Sequence, residues 1–142
     1  MRRGSVVRSN FRQRIKLQMP IPILFRKLLS FGRRSEILGV DYLRSAGCRV
    51  VASGFRTRHG EVDVIAWDGE TLVFIEVKAR RSNDPPEDAV NLPKQRRIIR
   101  AAQTYISQHR LHESPYRFDI LAVTIPAGHD PQFRLLRGAF HS

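Results

Sequence analysis

Two short alternating runs, Glu61–Trp67 and Thr71–Lys78, flank an Asp68-Gly69 pair. That arrangement constrains the fold more than any other feature of the chain. Apolar residues at every second position mark a strand with one face toward a core, and Asp-Gly is among the strongest two-residue hairpin signals. In the first run Val62, Val64 and Ala66 point one way, and Glu61, Asp63 and Ile65 the other. In the second, Val73, Ile75 and Val77 share one face, and Leu72, Phe74, Glu76 and Lys78 the opposite one. If Asp68-Gly69 is a two-residue loop, Glu61 opposes Glu76 and Asp63 is its diagonal neighbour. A four-residue loop sets Asp63 directly opposite Glu76. Either register leaves Asp63, Glu76 and Lys78 on one face, and only an odd-length loop or a bulge would separate them.

Glu61, Asp63 and Glu76 thus crowd three carboxylates around a single cation, Lys78. Like charges so close require raised pKa values or a further cation. A hard divalent ion bound through oxygen, Mg²⁺ or Mn²⁺, suits such a set. The plainer alternative is a solvated strand face with weak ion pairs. Against it, Leu72 and Phe74 lie on the same face, so the face is partly covered, and a covered carboxylate cluster needs compensation.

The remaining chain supplies the frame. Ser35–Ala46 reads as a helix, with Ser35 as N-cap, Gly47 as stop, and Glu36, Val40 and Leu43 on one stripe. Glu36 either reaches the carboxylate site from this helix or is simply favoured in a first turn by the helix dipole. Arg49–Phe55 reads as a strand, Arg56–Gly60 as a polar turn, and Arg80–Leu92 as a polar loop. Pro93 suits the first turn of a helix running to about His109, with Lys94, Ile98, Ala101 and Tyr105 on one face. Lys94 and Arg97 sit where the dipole disfavours cations, so they are either phosphate contacts or a surface pair. Arg117–Thr124 is a further strand, and Gln132–Phe140 a last strand or edge segment. The order α-β-β-β-α-β predicts an α/β fold, a mixed sheet flanked by helices.

Charge divides the chain unevenly. Of the net +12, residues 1–34 hold +10, from ten Lys/Arg and no acid, while residues 35–142 hold +2. The expected organisation is a basic, poorly ordered N-terminal arm over 1–34 and a nearly balanced domain over 35–142. Such an arm is either drawn to polyanions through phosphate contacts, or is a solubilising tail or a stretch upstream of the start codon in use. The single cysteine, Cys48, excludes an internal disulfide and fits a reducing cytoplasm. No apolar run approaches the roughly 18 residues of a membrane span, so no stable membrane association is expected.

The Asp63 and Glu76-Val77-Lys78 elements resemble the PD-(D/E)xK nuclease superfamily, which includes restriction endonucleases and archaeal Holliday-junction resolvases and has the same α-β-β-β-α-β core. A closer resemblance, over about residues 35–140, is to the YraN family of small bacterial proteins related to those resolvases. It rests on Gly60-Glu61-Val62-Asp63-Val64-Ile65, Val73-Phe74-Ile75-Glu76-Val77-Lys78-Ala79-Arg80, Lys94-Gln95-Arg96-Arg97 and Arg117-Phe118-Asp119. Three positions depart from the family's pattern. Ser35 stands for a glycine before the helix glutamate, Gly54 for an asparagine before Phe55-Arg56, and no Phe-Gly occurs in Ser82–Pro86.

The resemblance implies a restriction-endonuclease-like fold and hydrolysis of DNA phosphodiesters, with branched or structured DNA as the substrate class. It implies Asp63, Glu76 and the Val77 carbonyl as ligands of Mg²⁺ or Mn²⁺, and Lys78 as the residue that orients or helps deprotonate the attacking water. Glu36 joins this catalytic set, and Lys94, Arg97, Arg80 and Arg56 are the implied nucleic-acid contacts. Glu61 is either an acid supporting the ligands or the structural partner of an arginine. Two-fold symmetric DNA would suit a homodimer. The competing expectation is an accessory protein that binds nucleic acid on a nuclease fold without robust catalysis.

Overall fold

A computed structural model of the chain describes residues 6–7, 30–81 and 90–142. Its elements are β1 (Val6–Val7), α1 (Phe31–Ser45), β2 (Arg49–Thr57), β3 (Gly60–Asp68), β4 (Thr71–Arg80), α2 (Leu92–Gln108), β5 (Tyr116–Thr124) and β6 (Gln132–Phe140). The strands form one mixed sheet in the order β1-β6-β5-β4-β3-β2. Among the described residues only the β4–β5 pair is parallel, joined by the crossover through α2. From α1 to β5 the order is the expected α-β-β-β-α-β, and β6 extends it as a full strand antiparallel to β5.

The alternation in β4 divides the core. Val73, Ile75 and Val77 pack with Leu121, Val123 and Leu43 on the α1 side. Leu72 and Phe74 pack with Phe118, Ile120 and the α2 residues Ile98, Ala101 and Tyr105 on the other. β4 is buried on both faces from Leu72 to Val77, as befits a strand covered by a helix on each side. No helix among the described residues is long and apolar enough to cross a membrane.

Three local expectations are corrected. The first helix starts four residues earlier, at Phe31, capped by Ser30, whose Oγ accepts the Arg33 N–H at 3.2 Å. Ser35 is fully buried inside the helix instead, with its hydroxyl donating to the Phe31 carbonyl. The buried stripe is accordingly Ser35, Gly39 and Leu43, which leaves Glu36 half-exposed at its border. The hairpin turn is Gly69-Glu70, since Asp68 pairs with Thr71 and Val64 with Ile75. This is the register that aligns Asp63 with Glu76. Most of the expected basic arm, and Ser82–Pro86, lie outside the described residues. Of the arm, Val6–Val7 pairs with β6 and residues 31–34 open α1.

Candidate functional site

The third correction builds the site. Strict alternation would put Val62 with Val64 and Ala66, yet Val62 packs with Ile65 on the α2 side. In β2, Ala52 and Phe55 lean on that same side, also three residues apart. The pairs Ser53–Val64 and Phe55–Val62 bracket Gly54 and Asp63, so these two stand opposite each other. Both strands therefore slip their alternation at the same place, and Gly54 makes the slip with a φ of +64°. A left-handed backbone of this kind suits glycine and disfavours residues with a Cβ. The paired positions of β3 and β4 run only as far as Val64–Ile75. Beyond them, the Val77 N–H donates to Asp63 Oδ2 at 2.8 Å, so a side-chain carboxylate takes up a strand amide. Asp63 and Glu76 meet at this opened end of the hairpin, not across a flat pleated face.

Electrostatics at this end are unbalanced. Burial pushes the Asp63 carboxyl up to about 8, and the neighbouring Glu76 charge pushes the same way. The Val77 N–H opposes both, and the more distant Glu36 charge adds to the rise. Glu76 is 5 % exposed and ion-pairs with Lys94 from the first turn of α2. Lys94, expected either as a phosphate contact or in a surface pair, lies on this carboxylate. Helix α2 is held close by Gly60, where a Cβ would come within 2.5 Å of the Arg97 carbonyl oxygen.

The other sequence-selected residues surround this pair. Lys78 is half-buried two positions beyond Glu76, and no described residue forms an ion pair with it. Glu36 ion-pairs with Arg33 at 3.0 Å. Glu61 ion-pairs with Arg56 at 3.3 Å, the second of its two expected roles. Glu36, Glu61, Arg33, Arg56, Ser30 and Gly54 line an open cleft of about 610 Å³ between the start of α1 and the β2–β3 hairpin. Arg97 is exposed on α2, and Arg80 is half-buried at the end of β4.

Among the described residues no three His, Cys, Asp or Glu side chains converge as a ready cage for a metal ion. The donor set on offer is two adjacent carboxylates and the Val77 backbone. That fits Mg²⁺ or Mn²⁺, which are commonly held by one or two carboxylates, with water and substrate phosphate completing the shell. A cation there would also relieve the crowding that raises Asp63.

A role missed in the sequence belongs to Arg117-Phe118-Asp119. Arg117 Nε donates to Asp119 Oδ1 at 3.0 Å, and its terminal nitrogen meets Asp68 Oδ2 at 2.7 Å. The Gly138 N–H donates to Asp119 at 2.9 Å. This network ties β5 to the hairpin turn and to β6. The available signal was a buried-strand aspartate with an arginine two residues before it, on the same face.

Comparison with known proteins agrees with the motifs. Residues 35–123 match the family described as Uncharacterised protein family UPF0102. A UPF0102 protein of Chlorobium chlorochromatii is 46% identical over 101 residues, covering 70% of this chain and 78% of that protein. One from Solibacter usitatus is 45% identical over 113 residues, covering 77% and 84%. One from Rhodococcus opacus is 41% identical over 114 residues, covering 79% and 97%. With the matched region spanning the helices and strands that assemble the carboxylate site, this chain belongs to the UPF0102, or YraN, family.

Proposed function

We propose that this protein is a metal-dependent nuclease that hydrolyses phosphodiester bonds in DNA, with branched or structured DNA as its substrate class. The observation that carries the reading is the half-buried Asp63 set against the buried Glu76, where desolvation first and the Glu76 charge second drive Asp63 up to about 8. A carboxyl so perturbed, with a second acid against it, is where metal and acid–base chemistry concentrate. Asp63, Glu76 and the Val77 carbonyl would hold Mg²⁺ or Mn²⁺, which would polarise the phosphoryl oxygen and supply hydroxide near neutral pH. The opened end of the hairpin presents both carboxylates to the same small volume. Lys78, with no acid tying it down among the described residues, orients the attacking water and balances charge at the phosphate. Water oxygen joins phosphorus, the P–O bond to the leaving sugar breaks, and that oxygen takes up a proton.

One observation favours the second reading, a nucleic-acid-binding protein without robust catalysis. Lys94 already neutralises Glu76, so the site has a resident cation. Incubating the full chain with duplex, single-stranded and branched DNA, and with RNA, in Mg²⁺ or Mn²⁺ decides between them. Metal-dependent cleavage that falls by about 100-fold or more in Asp63→Asn and Lys78→Ala, with binding retained, is expected. Binding without cleavage of any substrate would give the second reading the field.

A further inference from the structure

Helix α2 carries Lys94, Arg96, Arg97 and Arg100 and no acidic residue. Lys94 lies in the first turn, where the helix dipole disfavours cations, and the three arginines follow it within the next two turns. Arg96 and Arg100 are one turn apart on the same exposed face, about 6 Å along the axis, a spacing at which like charges repel. Lys94 is neutralised by Glu76, but among the described residues no acid pairs with Arg96, Arg97 or Arg100. The contact of Gly60 with the Arg97 carbonyl brings the β2–β3 turn against this part of α2. That turn adds the exposed Arg58, whose Nε donates to the neighbouring His59 ring at 3.2 Å and which forms no ion pair among the described residues. Since residues 35–142 carry a net charge of only +2, this is a local concentration of charge and not a general excess.

We propose that Arg58, Arg96, Arg97 and Arg100 form one basic ridge that grips the phosphate backbone of a nucleic acid and leads it to the Asp63–Glu76 end of the hairpin. The ridge repels itself and no acid among the described residues offsets it, so it contributes no ion pair to the isolated fold. A polyanion laid along it turns that repulsion into attraction. Lys94 continues the ridge inward and joins it to the carboxylates. The identity of the polyanion as a nucleic acid rests on the function proposed above; the ridge itself rests on the charge geometry.

The test uses the full chain with a labelled duplex of about 20 base pairs, the single strand of the same sequence, and EDTA, with affinity measured against salt concentration. The variants are the triple Arg96→Gln/Arg97→Gln/Arg100→Gln, single Arg58→Gln, and Asp63→Asn. The triple variant is expected to bind at least about tenfold more weakly near 0.1 M salt. Its salt slope should fall by about two to three on duplex and by about two on single strand, with the larger affinity loss identifying the form the ridge prefers. Its Tm should equal or exceed the parent's, because only repulsion was removed. Arg58→Gln should lower the slope by about one. An unchanged slope in the triple variant, or a Tm drop that explains its weaker binding, overturns the ridge. If the triple variant binds with the parent's salt slope and, assayed separately in Mg²⁺, cleaves as the parent does while Asp63→Asn does not, the ridge fails and the nuclease reading stands. If the parent binds neither DNA form at any salt, both fail together.

Discussion

The two ends of the β3–β4 hairpin carry the same kinds of side chain and treat them in opposite ways. At the turn end, Asp68 and Asp119 share Arg117, and the Arg117 hydrogen bond holds the Asp68 carboxyl below its ordinary range. At the open end, Asp63 and Glu76 crowd each other, one lysine serves the pair, and Asp63 is driven up to about 8. Buried acids with a shared, well-placed cation act as a fastener. Buried acids that outnumber their cations hold a site ready for something positive from outside. The difference therefore separates a structural network from a functional one without reference to which residues a family motif contains.

The largest expected effect lies at the fastener. Arg117→Ala leaves Asp119, 1% exposed, with its charge unpaired, and should destabilise the fold by about 3–5 kcal/mol in urea denaturation at neutral pH. A loss below about 1 kcal/mol would mean the network is no fastener, and the contrast would collapse. Burial already raises the Asp119 carboxyl despite Arg117, so the variant should shed part of this penalty on acidification, as Asp119 takes up a proton.

At the open end the sign reverses. Asp63 has an ordinary value of 3.8 and stands at about 8 when folded, so the folded state binds more protons between those values. Stability in metal-free buffer should therefore fall as pH rises from about 4 to about 8. Asp63→Asn should flatten that slope and stabilise the apo protein at neutral pH, on the order of 2 kcal/mol. A divalent cation should restore stability to the parent and do little for the variant. A destabilised Asp63→Asn would instead mean that the Asp63–Val77 hydrogen bond outweighs the crowding, and the open end would be a second fastener.

How much of this was legible in the sequence follows from what each pattern encodes. Period-two alternation and Asp68-Gly69 located the hairpin, and the Glu76/Val77 parity of β4 held because nothing interrupts that strand. β3 failed at one residue. Alternation is blind to a slip that depends on the partner strand, and the slip at Asp63 is made by Gly54 in β2. The clue was present: where the family resemblance has asparagine, this chain has glycine, and these are the two residues that tolerate a left-handed backbone. Ser35 misled because serine caps helices but also hides inside them when its hydroxyl returns to the preceding turn. The pairing of Lys94 with Glu76 joins positions 18 apart through a fold that local patterns do not contain.

Gly54 offers a middle-sized test of the same contrast. Gly54→Ala forces a Cβ into a left-handed residue and should cost about 1 kcal/mol, while Gly54→Asn should cost less. If the slip positions Asp63, the alanine variant should also weaken the pH slope of stability, because Asp63 would no longer be pressed against Glu76. An alanine variant with an unchanged slope would show that β4 alone sets the crowding.

The smallest effect is expected at the Arg56–Glu61 pair, and its smallness is informative. The pair is close, at 3.3 Å, but the Arg56 side chain is 79% exposed and Glu61 38%. Solvent screens such a pair, and holding two side chains in place offsets much of what remains, so Arg56→Ala should change stability by no more than about 0.5 kcal/mol. A loss above about 1 kcal/mol would mean that solvent does not screen the pair and that Glu61 counts as a third acid of the open end. The crowding at Asp63 would then arise from three carboxylates, and the site would hold a cation more strongly than a two-carboxylate set allows.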